Sequence, residues 1–368
     1  MTSGTPQVVA FDLRSAAGQP SGVGRHLLAI ALAASDLPNV RVRAYIGRTD
    51  IDTPAAIDKV AVRAGGALWH LAVWRHLRRN PVTSYISTSL VLPALPGVAA
   101  TPAILDIASF RVPGRQKRRT RTFERLLMGR SVRRHPLIFM SESAASDVKS
   151  VFHKARGVVV PPWFPQATAS GLAPTEPEAL GIRKPYLLMV GTIEPRKNVS
   201  LAVDATQELR RLGHDIRLVI IGARGWADDI EIGRIEAGVR SGAVIWPGYV
   251  SDAERDAAYA GATALLMPSM YEGFGMPLIE AMAAGVPCCR STIPVFDEIA
   301  GDATLKADPF NVQTWVTAID RLLSEPELAD RLRSAGIVRA ATFSRQRTAE
   351  ALLGAINQRR HGPEAVAP

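Results

Sequence analysis

Apolar and polar positions along the chain fall into two series of strand, loop and helix. In the first series Val8–Leu13 is a mostly apolar run and predicts a buried strand. Ser21-Gly-Val-Gly-Arg25 and a helix-like run over His26–Ala34 follow it. Arg41–Ile46 alternates and predicts a second strand. Trp69–Arg79 carries Trp and Leu at helical spacing with basic residues between, which predicts an amphipathic helix. Leu137–Met140 reads as a strand, and Ser141 or Ser143 then caps a new helix. Val158–Pro162 closes the series. The second series opens with the strand Tyr186–Val190 and a helix over about Ser200–Leu212. It continues with the strand Ile216–Ile221, the segment Val244–Asp252, and the apolar run Ala262–Met267. A helix entered at Pro277 should stop at Gly285, and helices close the chain over Val312–Ser324, Pro326–Ala335 and Arg345–Arg359. Continuous apolar strands alternating with helices predict an α/β chain of doubly wound parallel sheets.

Between the two series, Gln166–Lys184 is rich in Ala, Pro, Thr, Gly and Glu and lacks apolar periodicity, so it reads as a linker. That divides the chain into a first domain over 1–165, the linker over 166–184 and a second domain over 185–344. Residues 345–368 form a last helix, expected to cross back to the first domain, and a frayed tail.

Composition supports two ordinary cores: 47% of the 368 residues are hydrophobic, too many for a disordered chain. No run of about 18 apolar residues occurs, so no transmembrane helix is expected. Met1–Gln7 lacks the basic and apolar regions of a signal peptide. The only cysteines, Cys288 and Cys289, are adjacent and suit a reducing compartment. A cytoplasmic protein is therefore expected. The net charge of +10 is uneven: Met1–Pro165 holds 23 basic and 9 acidic residues. Ten cations and a single acid, Glu124, lie between Arg111 and Arg134. Phe123, Leu126, Leu127 and Met128 predict a narrow apolar stripe among them. Like charges at i,i+4 destabilise a free helix, so an external anion is expected. No RNA-binding or zinc-ligand spacing accompanies the charges, which favours an anionic membrane surface over nucleic acid.

The chemistry concentrates in Pro268-Ser-Met-Tyr-Glu-Gly-Phe-Gly-Met-Pro, which follows the apolar run ending at Met267. Strand, glycine loop (Gly273, Phe274, Gly275) and helix start at Met276 make an anion site of free backbone N–H groups. Glu272 in the loop and Glu280, expected in the first helical turn, flank it. A carboxylate there repels an anion unless it contacts something neutral, and sugar or ribose hydroxyls fit. The plain alternative is a capped helix with an acidic first turn. A second loop, Gly191-Thr-Ile-Glu-Pro-Arg-Lys-Asn198, places Arg196 and Lys197 at a strand-loop-helix tip. An Arg fork and a Lys point charge suit a diphosphate. Gly222 ends another strand at the sheet edge, where ligands bind, and Tyr249 lies in the next loop.

These motifs resemble glycosyltransferase family 4, the retaining GT-B glycosyltransferases. The resemblance rests on E-G-F-G-x-P-x-x-E followed by A-M-A-x-G-x-P, on G-T-x-x-P-R-K-N, and on Ser141-Glu-Ser-Ala-Ala-Ser-Asp-Val148. It implies two Rossmann-like domains facing across a cleft, with the donor nucleotide on the second and the acceptor on the basic first. It implies donor contacts by Gly191, Arg196, Lys197, Gly222, Tyr249, Glu272, Gly273, Phe274, Gly275, Met276 and Glu280. Glu272 would meet the donor sugar and Glu280 the ribose, with Arg196 and Lys197 on the diphosphate. Gly22 and Gly24 would approach the donor phosphates from the first domain. In Pro102–Pro113 the family's His-Asp is represented by Leu105 and Asp106, so Asp106 matches and the histidine is replaced.

The reaction implied is transfer of a hexosyl group, such as mannosyl, glucosyl or rhamnosyl, with retention of configuration. Donor and acceptor would be a GDP- or UDP-linked sugar and a glycan or lipid-linked glycan of the cell envelope. The enzyme would work at the inner face of the cytoplasmic membrane without a cofactor or metal. Two other readings fit the same motifs: a GT-B epimerase or hydrolase, and a catalytically silent nucleotide-sugar-binding subunit, the latter suggested by Leu105.

Overall fold

A computed structural model of the protein describes residues 6–18, 22–111, 118–163 and 181–361. It divides into two compact units, 1–164 together with 343–368, and 165–342. The linker residues 166–180 and the cations Arg115 and Lys117 lie outside the described residues.

The first unit opens with β1 (Gln7–Asp12), α1 (Gly22–Ala34), β2 (Val40–Ile46), β3 (Ile57–Ala61) and α2 (Gly66–Arg79). Short elements follow: β4 (Ser84–Ile86), α3 (Val91–Ala94), β5 (Ala103–Ile104) and α4 (Ala108–Arg111). The unit continues through α5 (Arg118–Arg134), β6 (Leu137–Phe139), α6 (Glu142–Val151) and β7 (Gly157–Val159). A parallel sheet of order β3-β2-β1-β4 and a second of order β5-β6-β7 are joined by backbone bonds from Thr101 and Ala103 to Tyr85 and Ser87. α1 begins four residues earlier than its apolar run. Gly22 and Gly24, expected in a turn ahead of the helix, lie inside its first turn. A Cβ on Gly24 would sit 1.8 Å from the Ser15 carbonyl oxygen, so only glycine allows this approach.

The second unit runs β8 (Tyr186–Val190), α7 (Val199–Arg211), β9 (Arg217–Ile221), α8 (Asp229–Arg240), β10 (Val244–Gly248), α9 (Asp252–Gly261) and β11 (Ala264–Met267). It continues with α10 (Met276–Ala283), β12 (Cys288–Ser291), α11 (Pro294–Ala300), β13 (Leu305–Ala307), α12 (Val312–Ser324) and α13 (Pro326–Ala341). Its parallel sheet has the order β10-β9-β8-β11-β12-β13. The chain winds outward from β8 to β10, then returns to the other side of β8. The order therefore reverses between β8 and β11, and ligands bind outside the carboxyl ends of strands at such a reversal. Among the buried polar residues of this unit is Arg290 of β12, which is fully buried and donates to Thr304, Asp297 and the Gly301 carbonyl.

The last helix, α14 (Arg345–His361), belongs to the first unit. Leu352, Ala355 and Ile356 join Leu27, Ile30, Ala31 and Ala34 of α1 in one buried cluster. Arg345 donates to Asp36 Oδ1 at 2.7 Å and the Leu32 carbonyl at 2.7 Å, and its guanidinium lies 5.2 Å from the Trp163 ring centre. Trp163 in turn donates to the Ala29 carbonyl at 2.7 Å.

α1 also carries a fully buried histidine. Neither ring nitrogen of His26 has a hydrogen-bond partner, and burial lowers its pKa to about 3. A histidine whose folded pKa lies below its unfolded value stabilises the fold only while neutral. That contribution is present above about pH 6.5 and is lost as pH falls towards 3. Acidification to about pH 4 should therefore cost roughly 3 kcal/mol through this residue. His26→Leu should flatten that acid limb in denaturation curves taken between neutral and acid pH. An acid limb as steep as that of the parent would refute the assignment.

Candidate functional site

The loops after β8 and β11 meet at the point where the strand order reverses. After β8 the chain passes Gly191 and makes a 3-10 turn over Pro195–Lys197, ended by Asn198 in the left-handed conformation. Arg196 Nη1 donates to Glu272 Oε2 at 2.5 Å and to the Tyr271 carbonyl at 3.1 Å. Lys197 Nζ donates to Glu272 Oε1 at 2.5 Å, and Ser269 Oγ donates to the same oxygen at 2.8 Å. The backbone fastens the loops further, with Met270 N–H donating to the Arg196 carbonyl at 2.8 Å. Arg196 Nε also pairs with Glu194 at 2.7 Å. Three residues singled out by sequence, Arg196, Lys197 and Glu272, thus share one buried cluster.

Burial alone would raise the Glu272 pKa. The Arg196 guanidinium and Lys197 ammonium more than offset that and hold it at about 2. Glu272 is therefore ionised throughout the ordinary pH range. With Glu194 it balances both cations, so an arriving anion must compete with Glu272 for them.

Two helix N-termini approach this point and differ in availability. The first N–H of α7, at Val199, donates to Glu231 Oε1 of α8 at 3.2 Å. That end already faces a carboxylate, whose pKa burial raises. α10 is different: its N-cap is Gly275 at φ +106°, and no acidic residue lies in its first turn. A Cβ on Gly275 would lie 2.6 Å from the Phe296 ring, so glycine is required by both backbone and space. Glu280, expected in the first turn, lies in the second. Its Oε2 accepts from Tyr259 Oη of α9 at 2.8 Å. Burial raises the Glu280 pKa, while Arg255 opposes the shift.

The remaining candidates fall as follows. Gly273, Phe274 and Met276 line the path into α10, with Phe274 buried. Gly191 N–H donates to the Ile221 carbonyl, and a Cβ on Gly222 would lie 2.0 Å from the Gly191 carbonyl oxygen, so the β8 and β9 ends abut. Tyr249 is 44% exposed in the loop before α9. Gly22, Gly24 and Asp106 belong to the first unit. Asp106 Oδ1 accepts from Ala108 N–H at 2.9 Å at the start of α4, and Leu105 packs against the first unit's core.

Sequence reasoning did not single out Ser269, Tyr259, Glu194 or Glu231, which act through tertiary pairing and carry no spacing of their own. It also missed a cluster at the carboxyl end of β1. Arg14 is held by Asp12 through two side-chain bonds of 3.0 and 2.8 Å and stacks 4.2 Å from the Trp69 ring centre. A buried Asp ending an apolar strand was the available signal. Among the described residues no group of three or more His, Cys, Asp or Glu could hold a metal ion.

Residues 173–339 match the family described as glycosyl transferases group 1. The O-antigen chain mannosyltransferase B of Escherichia coli is 38% identical over 162 residues, 43% of this chain and 42% of that protein. The O-antigen chain mannosyltransferase RfbU of Salmonella typhimurium is 30% identical over 150 residues, 40% of this chain and 41% of that protein. The match thus spans less than half the length of these relatives. Among solved structures, sucrose-phosphate synthase from Thermosynechococcus elongatus superposes with TM-score 0.77 at 19% identity, covering 96% of this chain and 98% of that one. WaaG, described as a glycosyltransferase involved in lipopolysaccharide biosynthesis, gives 0.71 at 21% identity, covering 96% and 100%.

Glu272→Gln keeps the side chain's size and removes the anion shared by Arg196 and Lys197. Inorganic pyrophosphate should then bind about tenfold more tightly, roughly 1.4 kcal/mol. Unchanged or weaker binding by calorimetry would show that Glu272 does not compete for these cations. The parent's ion-pair stabilisation should be fully present above about pH 4.5 and fade as pH falls towards 2, because the folded pKa is depressed. The stability gap between parent and variant should narrow over that window.

Proposed function

We propose that the protein is a retaining hexosyltransferase of the glycosyl transferases group 1 family, whose model matches residues 173–339, on a GT-B fold. It takes a hexosyl group from a GDP- or UDP-linked sugar and passes it to a glycan or lipid-linked glycan of the cell envelope. The relatives named as O-antigen mannosyltransferases put mannose first among the sugars. The observation that carries the reading is the cluster of Arg196, Lys197 and Glu272 where the strand order reverses, beside the open N-terminus of α10.

In this reading the donor diphosphate replaces Glu272 on Arg196 and Lys197, and the α10 N–H groups add further donors. Glu272, released from both cations, accepts from the donor sugar hydroxyls. Glu280 accepts from the ribose, positioned by Tyr259. Gly191, Gly222, Gly273 and Gly275 keep the backbone low enough for close approach. Tyr249 lies in the loop assigned to the base, and Gly22, Gly24 and Asp106 serve from the first unit. The acceptor oxygen bonds to the anomeric carbon as the bond from that carbon to the diphosphate oxygen breaks. The acceptor proton passes to the departing diphosphate, on the same face, which retains configuration. Arg196 and Lys197 stabilise the charge that develops on the leaving group. The positive charge comes from the protein, and no cofactor is used. The basic first unit suits an acceptor held at the inner face of the cytoplasmic membrane.

Purified protein incubated with a panel of GDP- and UDP-sugars should release nucleoside diphosphate only when membrane extract supplies an acceptor. Release without acceptor would instead mark a hydrolase or epimerase. Arg196→Ala should weaken nucleoside diphosphate binding by roughly 1.5–3 kcal/mol, the range for a charged hydrogen bond. Glu280→Gln should weaken the nucleotide itself and Glu272→Gln should chiefly lower turnover. Identical behaviour of the two glutamine variants would refute the division of roles.

A further inference from the structure

The first unit carries a second cationic surface that the transfer chemistry does not use. α2 contains no acidic residue. Trp69, Val73 and Leu77 turn inward along one side of it. Leu68, Leu71, Arg75, Arg78 and Arg79 recur at helical spacing on the opposite, exposed side. α5, with Glu124 as its single acid, is built in a similar way. Of the apolar stripe expected there, Met128 is buried and Leu127 half-buried, whereas Leu126 turns outward at 69% exposure; the Phe123 side chain lies outside the described residues. The stripe is thus split by the helix period. Arg125, Arg130 and Arg133 surround Leu126 on the exposed side.

Backbone from 94 to 97 fastens the two helices together. The Ala94 carbonyl accepts from Arg130 Nε at 2.8 Å and Arg134 Nη1 at 3.0 Å, both on α5. From the α2 side, Trp74 Nε1 donates to the Pro96 carbonyl at 3.4 Å. Arg78 lies against Gly97, where an added Cβ would be 2.3 Å from its Nη1. Leu95 in this connection is also exposed. The exposed leucines of α2, the connection and α5 thus lie on elements fastened to one another, with arginines on the same elements. None of Arg75, Arg78, Arg79, Arg125, Arg130, Arg133 or Arg134 makes an ion pair among the described residues.

We propose that α2, residues 94–97 and α5 form one docking face for an anionic lipid bilayer, with Leu68, Leu71, Leu95 and Leu126 entering the interface. This rests on the membrane reading above and says where the protein touches the lipid. The pattern of chemistry selects the occupant. Unpaired arginines call for a dense array of anions, while exposed leucines among them call for an apolar phase at the same depth. A bilayer surface offers both, and a nucleic acid duplex offers only the first. Arginine also suits this boundary because its apolar stem lies along hydrocarbon while its head stays among the phosphates.

The test is flotation of the full chain with phosphatidylcholine vesicles, with and without phosphatidylglycerol, at low and high salt. The parent should float with the anionic vesicles, retain part of that binding at high salt, and leave neutral vesicles. Leu68→Ser combined with Leu71→Ser should abolish the salt-resistant part, about a tenfold loss. Arg75→Gln combined with Arg79→Gln should weaken the low-salt part. These positions are exposed, and an unchanged far-UV circular dichroism spectrum and thermal unfolding profile of the full chain serve as the check that the variants remain folded. Parent protein that ignores anionic vesicles would remove the membrane reading itself. Parent protein that floats while both α2 variants float equally well would leave that reading standing and overturn the two-helix face. Binding to a DNA duplex with no flotation would overturn it as well.

Discussion

The charge balance at Glu272 governs the second unit. One carboxylate receives an arginine and a lysine from the loop after β8 and a serine from its own loop, all out of water. A buried charge left without its partner is costly, so the three groups fix one another's positions. They also fix the two loops, because the pairs connect segments that follow neighbouring strands in space and lie far apart in the chain. The reversal in strand order makes the meeting possible. Between β8 and β11 no crossover helix covers the strand ends, and the loops there are free to converge on a ligand. The same balance sets the electrostatic character of the site. It is neutral in sum but composed of exchangeable contacts, so an anion gains by substitution and not by simple attraction.

The glycine loop into α10 and the Arg-Lys turn after β8 were legible in the sequence because both depend on local chemistry. A glycine forced to positive φ at a helix start, a proline beside it and two cations on a short turn leave their mark on adjacent letters. Tyr186–Val190 and Val312–Ser324 were legible for the same kind of reason, since each buries a regular apolar pattern. What stayed hidden depends on packing across the fold. β12 does not read as a strand, because Cys288–Ser291 includes an arginine; only its partners on α11 and the β13 side make that charge tolerable inside a sheet. Gly22 and Gly24 are poor helix formers, yet they sit within α1 because Ser15 lies so close that no side chain fits. Glu280 falls one residue beyond the expected first turn, since α10 takes Met276 and not Pro277 as its first residue.

The two units use charge in opposite ways. In the second, most cations around the site are matched, as with Arg196, Arg255 and Arg290, and the matching positions loops and helices. In the first, Arg75, Arg78 and Arg79 of α2 and Arg125, Arg130, Arg133 and Arg134 of α5 are exposed and make no ion pair among the described residues. Sequence alone showed the excess on α5 but not its continuity with α2, because the connection through residues 94–97 exists only in the folded unit. Leu126 and Met128 are two residues apart, and the helix period sends one to water and the other to the core.

The return of α14 to the first unit has a consequence for how the molecule is made. A ribosome delivers β1 to β7 first, but the α1 face that Leu352, Ala355 and Ile356 cover has no partner until the second unit has been synthesised. The second unit is contiguous in the chain and has all its strands once β13 emerges, so it can mature while the first is still unfinished. During that interval the cluster around Leu27, Ile30, Ala31 and Ala34 lacks the apolar side chains that α14 contributes, the kind of unfinished surface that chaperones bind. Nascent chains arrested shortly before Arg345 would hold that state, with the earliest-made half of the protein the last to close.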